Sequence, residues 1–173
     1  MVGSHSYDVA VIGAGIGGYT AAIRASQLGM NVAIIEKGNV GGTCVNLGCT
    51  PTKALLASTN LLQKIRQSED FGIIVGDVSA DLKKMMVRKD ATVNRLTNGV
   101  KYLLKKNKIC LLEGKATILS NNRVQVKNAD GREQQIDADA IIIASGSEPA
   151  EPPNIRVDKK VMITTDEALR LEA

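Results

Sequence analysis

The sequence predicts an α/β fold: a parallel sheet with helical crossovers, joined to a small antiparallel meander. Three observations predict it. The first stretch alternates short apolar strands with an Ala-rich helical segment. From Ala116 to Ile136 the apolar period drops to two, as half-buried strands require. The 173 residues are 44% apolar, enough for one domain or slightly more with a sizeable core. One Phe, three Tyr and no Trp leave that core to Ile, Leu, Val and Ala.

Taken in order, Asp8–Ile12 reads as a buried strand, followed without a break by a glycine-rich turn over Gly13–Gly18. Tyr19–Leu28 reads as a helix closed by Gly29, and Asn31–Ile35 as a second strand ending at Glu36. Strand, turn, helix, strand is a parallel unit with a right-handed crossover. Ala54–Gln67 carries Leu55, Leu56, Leu61, Leu62 and Ile65 at helical spacing, and 68–80 is a mixed loop. Asp81 is placed to cap a long helix running to Lys106-Asn107. Ile109–Glu113 is a strand, and 116–119, 124–126 and 134–136 form the meander, turning at Asn121-Asn122 and Asp130-Gly131. Ala140–Ala144 reads as a separate, fully buried strand, followed by Ser145-Gly146. Glu151-Pro152-Pro153 reads as a linker, and Asp166 as the cap of a short helix through Leu171. The expected division is a loose leader over 1–6, one domain over 7–149, and a linker with a short helix over 150–173.

The charge balance is +4, spread along the chain and densest at Lys105, Lys106 and Lys108. A nucleic-acid partner would want a basic stripe with stacking aromatics, so none is expected. No apolar run reaches membrane-spanning length and no secretory signal is present, so a membrane is not expected either. The expected location is the cytoplasm, or an organellar matrix if a leader was removed. Three cysteines do not make a disulfide framework.

Gly13, Gly15 and Gly18 match G-x-G-x-x-G in its required context, after a strand and opening a helix. Gly13 permits the tight turn, Gly15 lets the backbone approach a pyrophosphate, and Gly18 allows close helix packing. The helix start then offers free N–H groups and a positive dipole end to phosphates. Glu36, 18 positions after Gly18, can accept hydrogen bonds from ribose hydroxyls and would repel a 2′-phosphate. The unit is Rossmann-like; the pattern alone does not separate FAD from NAD.

Cys44 and Cys49 lie five positions apart in Gly41-Gly42-Thr43-Cys44-Val45-Asn46-Leu47-Gly48-Cys49-Thr50-Pro51-Thr52-Lys53. Pro51 suits the first turn of the helix that continues through Ala54. The helix dipole and Lys53 would both lower a nearby thiol pKa, and the thiolate is the reactive form. A strained, reducible disulfide fits this setting. A structural disulfide, two buried thiols, or a zinc site stay open. Zinc would need two more ligands, and Cys110 and His5 are the only other Cys and His. Cys110, in an apolar strand, reads as a small buried hydrophobe.

The fingerprint, Glu36 and the run from Gly41 to Lys53 together resemble the flavin-linked pyridine nucleotide–disulfide oxidoreductases. Three stretches favour the dihydrolipoamide-oxidising branch over the glutathione and mercuric reductases. They are Lys53–Leu56, the helix through Leu96–Val100 to Lys108, and the pair Glu113–Ala116 with Ala144–Pro149. The resemblance runs from Tyr7 to about Leu171. It implies a Rossmann-like FAD-binding domain in which Gly13, Gly15 and Gly18 hold the pyrophosphate and Glu36, with Lys37 beside it, binds the adenosine ribose. Gly42, Thr43 and Cys44 would line the path to the flavin, with Lys53 near its N5. Gly114 and Ala116 would contact the adenine side, and Ser145 and Gly146 would close over the nucleotide. Cys49 would face the flavin ring and Cys44 would exchange with the substrate. Thr50 and Thr52 depart from the family's usual aliphatic and Ser at those positions, which touches fine tuning of the flavin environment.

The implied reaction is ping-pong: dihydrolipoamide reduces the Cys44–Cys49 disulfide, and the electrons pass through FAD to NAD+. Implied partners are a lipoyl domain of a 2-oxo acid dehydrogenase complex and, for the full-length enzyme, a second identical subunit. The other readings are another branch of the family, a flavin-binding module without turnover, or a structural or interaction scaffold that binds no nucleotide. A second glycine fingerprint for NAD and the family's active-site His are missing, since the single His is His5. The expectation is therefore an N-terminal piece of a larger enzyme, with little or no lipoamide turnover of its own.

Overall fold

A computed structural model describes residues 5–150, 153–154 and 157–171. The backbone forms two compact units. The first comprises the described residues up to Asn46 together with Leu96–Glu148; the second comprises Leu47–Arg95 and the described residues from Pro149 onward.

The first unit is built on β1 (His5–Ile12), α1 (Ile16–Gln27), β2 (Val32–Glu36), α2 (Gly42–Asn46), β3 (Cys110–Glu113), β4 (Lys115–Ser120), β5 (Arg123–Lys127) and β6 (Glu133–Ile143). The six strands make one sheet in the order β3-β2-β1-β6-β5-β4. β3, β2, β1 and β6 run parallel, while β5 and β4 add antiparallel. This is the parallel sheet with an attached meander that the patterning predicts. β2 is buried along nearly its whole length, which explains its continuous Val-Ala-Ile-Ile run. On one face Val9, Val11, Val32 and Ile34 pack with Ala22 and Ala25 of α1 and Val100 and Leu104 of the long helix. The other face joins Ala10, Ala33 and Ile35 to Val124, Val126 and Ile136 of the meander.

Four expectations change. His5 and Ser6, set aside as leader, belong to β1 and pair with Ile136 and Asp137. The 134–136 and 140–144 segments are one strand, β6, with different partners on its two edges. β5 pairs with β6 only as far as Asp137, so Ile142 and Ile143 beyond it stay exposed, Ile143 by 68%. The short final helix, α5 (Thr165–Ala168), is capped by Thr164 in a capping box with Glu167, not by Asp166. The expected linker residues Glu151 and Pro152 lie outside the described residues, as do leader positions 1–4.

The second unit holds α3 (Cys49–Arg66), a 3₁₀ turn (Ser68–Phe71) and the first part of α4 (Leu82–Lys106). Asp81 caps α4 as expected, its carboxylate accepting from Lys84 N–H at 2.9 Å. Arg88 of α4 donates to the Ala54 carbonyl of α3 at 2.9 Å. Lys89 is almost fully buried because its ammonium meets the Leu169 carbonyl at 2.6 Å and Asp90 at 2.9 Å. Among the described residues no helix is long and apolar enough to cross a membrane.

In the first unit α4 ends in a Schellman motif. Ile109 N–H bonds to the Leu104 carbonyl and Lys108 N–H to the Lys105 carbonyl, both at 3.0 Å, and Ile109 and Leu104 share the core. That geometry puts Lys108 at φ +56°, a left-handed conformation that glycine adopts without a Cβ clash. Lys108→Gly is expected to raise stability by about 1 kcal/mol, read as a higher urea midpoint at unchanged slope.

Asp8 and Val9 both donate to the Asn31 carbonyl, at 2.9 and 3.3 Å, and this bulge turns Tyr7 onto the face of Ala10. There Tyr7 is buried and hydrogen-bonded to Cys110. Burial first, then the bond to Cys110, pushes its phenol up to about 12. The raised folded value favours the neutral phenol, so its contribution is complete below the ordinary value near 10. It is lost as pH rises through about 12. The stability advantage of wild type over Tyr7→Phe is expected to shrink between pH 9 and 11.5 in urea unfolding.

Candidate functional site

The loop after β1 is shaped by two glycines that the fold itself requires. Gly13 has φ +101°, and a Cβ there would lie 2.2 Å from the Ala144 carbonyl oxygen. That carbonyl belongs to the chain leaving β6, which is locked in place by Ala144 N–H bonding to Ile12 O at 2.8 Å. A Cβ on Gly18 would lie 1.8 Å from the Gly13 carbonyl oxygen, so α1 rests directly on the turn. Gly15 is different. It has ordinary extended angles, and a Cβ would meet only Gly42 Cα, at 3.7 Å. Protein packing does not demand glycine at 15. No side chain caps α1 there and no acid sits in its first turn, so its first N–H groups face outward beside a positive dipole end.

Glu36, at the end of β2, organises this loop. Its Oε2 accepts from Ala14 N–H at 2.6 Å and its Oε1 from Gly38 N–H at 2.8 Å. A carboxylate has about four acceptor positions, so two remain for donors from outside the chain. Lys37 reaches Glu148 at 3.2 Å in an exposed pair of little energetic weight. Gly114 N–H donates to the Glu36 carbonyl at 2.8 Å, and a Cβ on Gly114 would lie 2.6 Å from Lys127 O. The backbone of Gly114 and the half-buried Ala116 therefore run beside the end of β2. Ser145 and Gly146 follow Ala144 at the mouth of the same loop, both exposed.

The cysteine run begins on the glycine-rich loop after β1. Gly41 N–H donates to the Ala14 carbonyl at 2.8 Å, and a Cβ on Gly42 (φ +61°) would lie 2.6 Å from Gly15 Cα. Ala14 is thus bonded to Glu36 through its N–H and to Gly41 through its carbonyl. Helix α2 follows, with Thr43 exposed and Cys44 half-buried. The sequence reading placed a helix entrance near Pro51; α2 is a further short helix that it did not anticipate.

In the second unit Cys49 opens α3 after Gly48, with Pro51 buried in the first turn. Cys49 and Lys53 are both exposed and stand four residues apart, on one face of α3. Cys49 is a free thiol. Cys110 is half-buried rather than fully buried, held at Tyr7. Among the described residues no group of three or more His, Cys, Asp or Glu is placed to hold a metal.

Two contributors escaped the sequence reading. Ala14 acts through its backbone and carries no side-chain signal. Asn46 wraps back on the turn into α2, donating to Val40 O at 3.1 Å and Gly42 O at 3.0 Å. Its position inside the cysteine run was the available clue.

A strand–loop–helix with open N–H groups, finished by an acid, is the arrangement that a dinucleotide-binding unit requires, and here the cysteine run is bonded to it. The chain belongs to the pyridine nucleotide-disulphide oxidoreductase family, whose profile matches residues 7–173. It is 46% identical over 169 residues to a dihydrolipoyl dehydrogenase of Trypanosoma brucei brucei, covering 96% of this chain and 35% of that protein. A Bacillus subtilis (strain 168) dihydrolipoyl dehydrogenase is 45% identical over 165 residues, covering 94% of this chain and 36% of that protein. The mitochondrial dihydrolipoyl dehydrogenase 1 of Arabidopsis thaliana is 43% identical over 171 residues, covering 98% and 34%. The chain spans about a third of the length of these curated relatives.

Proposed function

We propose that this chain is the FAD-binding, redox-disulfide portion of a dihydrolipoyl dehydrogenase. The observation that carries the reading is Ala14, bonded on one side to the ribose-type acid Glu36 and on the other to Gly41 at the head of the cysteine run. The residues fit a dinucleotide: Gly15 leaves room that a Cβ would take, α1 is uncapped, and Glu36 keeps acceptor capacity. Gly13, Gly15 and Gly18 would hold the pyrophosphate, and Glu36 the ribose with Lys37 beside it. Gly114, Ala116, Ser145 and Gly146 are assigned the adenine end, and Gly42, Thr43 and Lys53 the flavin end. FAD would supply a two-electron acceptor for the cysteine pair, with NAD+ as the terminal acceptor in the full-length enzyme.

The chain's own chemistry is thiol–disulfide exchange. A dihydrolipoamide thiolate attacks the Cys44 sulfur of the Cys44–Cys49 disulfide, and the bond breaks with Cys49 leaving as thiolate. The second substrate thiolate then attacks the mixed disulfide, closing the lipoamide ring and releasing Cys44. The substrate loses two electrons and two protons; the cysteine pair gains the electrons, Cys44 takes up one proton as a thiol, Cys49 stays a thiolate, and the other proton passes to solvent. In the full-length enzyme the partners are a lipoyl domain and a second subunit, in the cytoplasm or an organellar matrix.

The test is an absorbance titration of the FAD-loaded chain with dihydrolipoamide. A long-wavelength thiolate–flavin band is expected, absent in Cys49→Ser. A flavin-loaded sample with no such band overturns the assigned roles. NADH–lipoamide turnover by the isolated chain is expected at background.

A further inference from the structure

Helix α2 has only five residues, too few to hold its shape by backbone bonds alone. Its last residue supplies the missing support. The Asn46 amide donates to the carbonyls of Val40 at 3.1 Å and Gly42 at 3.0 Å, with a longer contact to Asn39 at 3.4 Å. Its Oδ1 accepts from the hydroxyl of Thr97 at 3.3 Å. Thr97 is buried in α4, 51 positions away, in a helix whose neighbouring Val100 and Leu104 are core. Cys44 sits between the two ends of this clasp, Gly42 and Asn46. We propose that Asn46, seated by Thr97, is the positioning residue for Cys44, fixing α2 so that the Cys44–Cys49 disulfide forms and exchanges from one pose.

This rests on the redox role of the pair proposed above. A clasp that orders α2 in advance lowers the ordering cost of tying Cys44 into a disulfide. In the exchange the pair gives up two electrons and two protons as its S–S bond forms, and the partner disulfide takes them up as two thiols.

The test equilibrates the whole chain with oxidised and reduced lipoamide, and in parallel with oxidised and reduced glutathione, and quantifies the Cys44–Cys49 disulfide by peptide mass spectrometry. Asn46→Ala is expected to lower the equilibrium constant for disulfide formation about tenfold, equivalent to about 30 mV for a two-electron couple. Thr97→Val is expected to lower it less, about threefold, with Thr97→Ser restoring the wild-type value. Iodoacetamide labelling of Cys44 is expected to speed up in Asn46→Ala while Cys110 labelling stays constant, because only α2 is loosened. A constant unchanged in both Asn46→Ala and Thr97→Val overturns the proposal. If Asn46→Ala fails to fold, the Thr97→Val and Thr97→Ser pair decides alone. A wild-type pair that equilibrates with glutathione but not lipoamide sinks the dihydrolipoyl reading, and the shift measured against glutathione still decides the role of Asn46.

Discussion

Gly18→Ala is expected to destabilise the chain by about 2–3 kcal/mol, whereas Gly15→Ala stays within about 1 kcal/mol of wild type. On helix propensity alone Gly18→Ala should help, since Ala is favoured over Gly by about 1 kcal/mol in a helix. The geometry reverses that sign. The new Cβ would lie 1.8 Å from the Gly13 carbonyl oxygen and 2.9 Å from its carbon, both backbone atoms that cannot swing aside. Gly13 cannot retreat, because its own Cα face is pressed against the Ala144 carbonyl. At Gly15 the angles suit any residue, and the nearest atom to a Cβ is 3.7 Å away. Under the proposed function its glycine leaves room for a pyrophosphate. Gly15→Ala is therefore expected to keep the fold and lose about tenfold or more in FAD affinity, the cost of a methyl in front of the α1 N–H groups. Urea midpoints without nucleotide, set beside FAD retention, separate the two. Equal destabilisation by both substitutions contradicts this division of roles.

The same contrast shows what the sequence could and could not reveal. The β1–α1–β2 unit was legible because local patterning and tertiary role agree: an apolar run, three spaced glycines, an Ala-rich helix and an acid at the strand end. Asp81 as the cap of α4 was legible for the same reason. β6 was not legible as one strand, because its first half borders β5 and alternates while its second half borders only β1 and reads as an apolar run. α2 escaped because five residues carry no helical period. Thr164 and Asp166 are both good caps, and only Glu167, three places after Thr164, selects between them. In the candidate site, Glu36 and the cysteines stand out by side-chain type. The bonds through Ala14 and from Thr97 to Asn46 join segments 22 and 51 positions apart, and no local pattern encodes them.

Glu36 yields the second large effect. Glu36→Ala is expected to cost about 2 kcal/mol of stability, and Glu36→Gln less than about 1 kcal/mol. The alanine leaves the N–H of Ala14 without its acceptor at a residue that is completely buried, and a buried orphan donor is expensive. The glutamine keeps one oxygen. It can give that oxygen to Ala14 and turn its NH2 toward Gly38, whose N–H is exposed and can bond to water instead. Both variants are expected to weaken FAD binding, because an amide oxygen serving Ala14 cannot also accept from two ribose hydroxyls as a carboxylate can. The two substitutions should part company at Gly41. Its N–H is held by the Ala14 carbonyl, so loosening Ala14 releases the head of the cysteine run. Amide hydrogen exchange at Gly41 is expected to accelerate at least tenfold in Glu36→Ala and little in Glu36→Gln. Equal exchange in both would mean that the link from Glu36 to the head of the cysteine run does not run through Ala14.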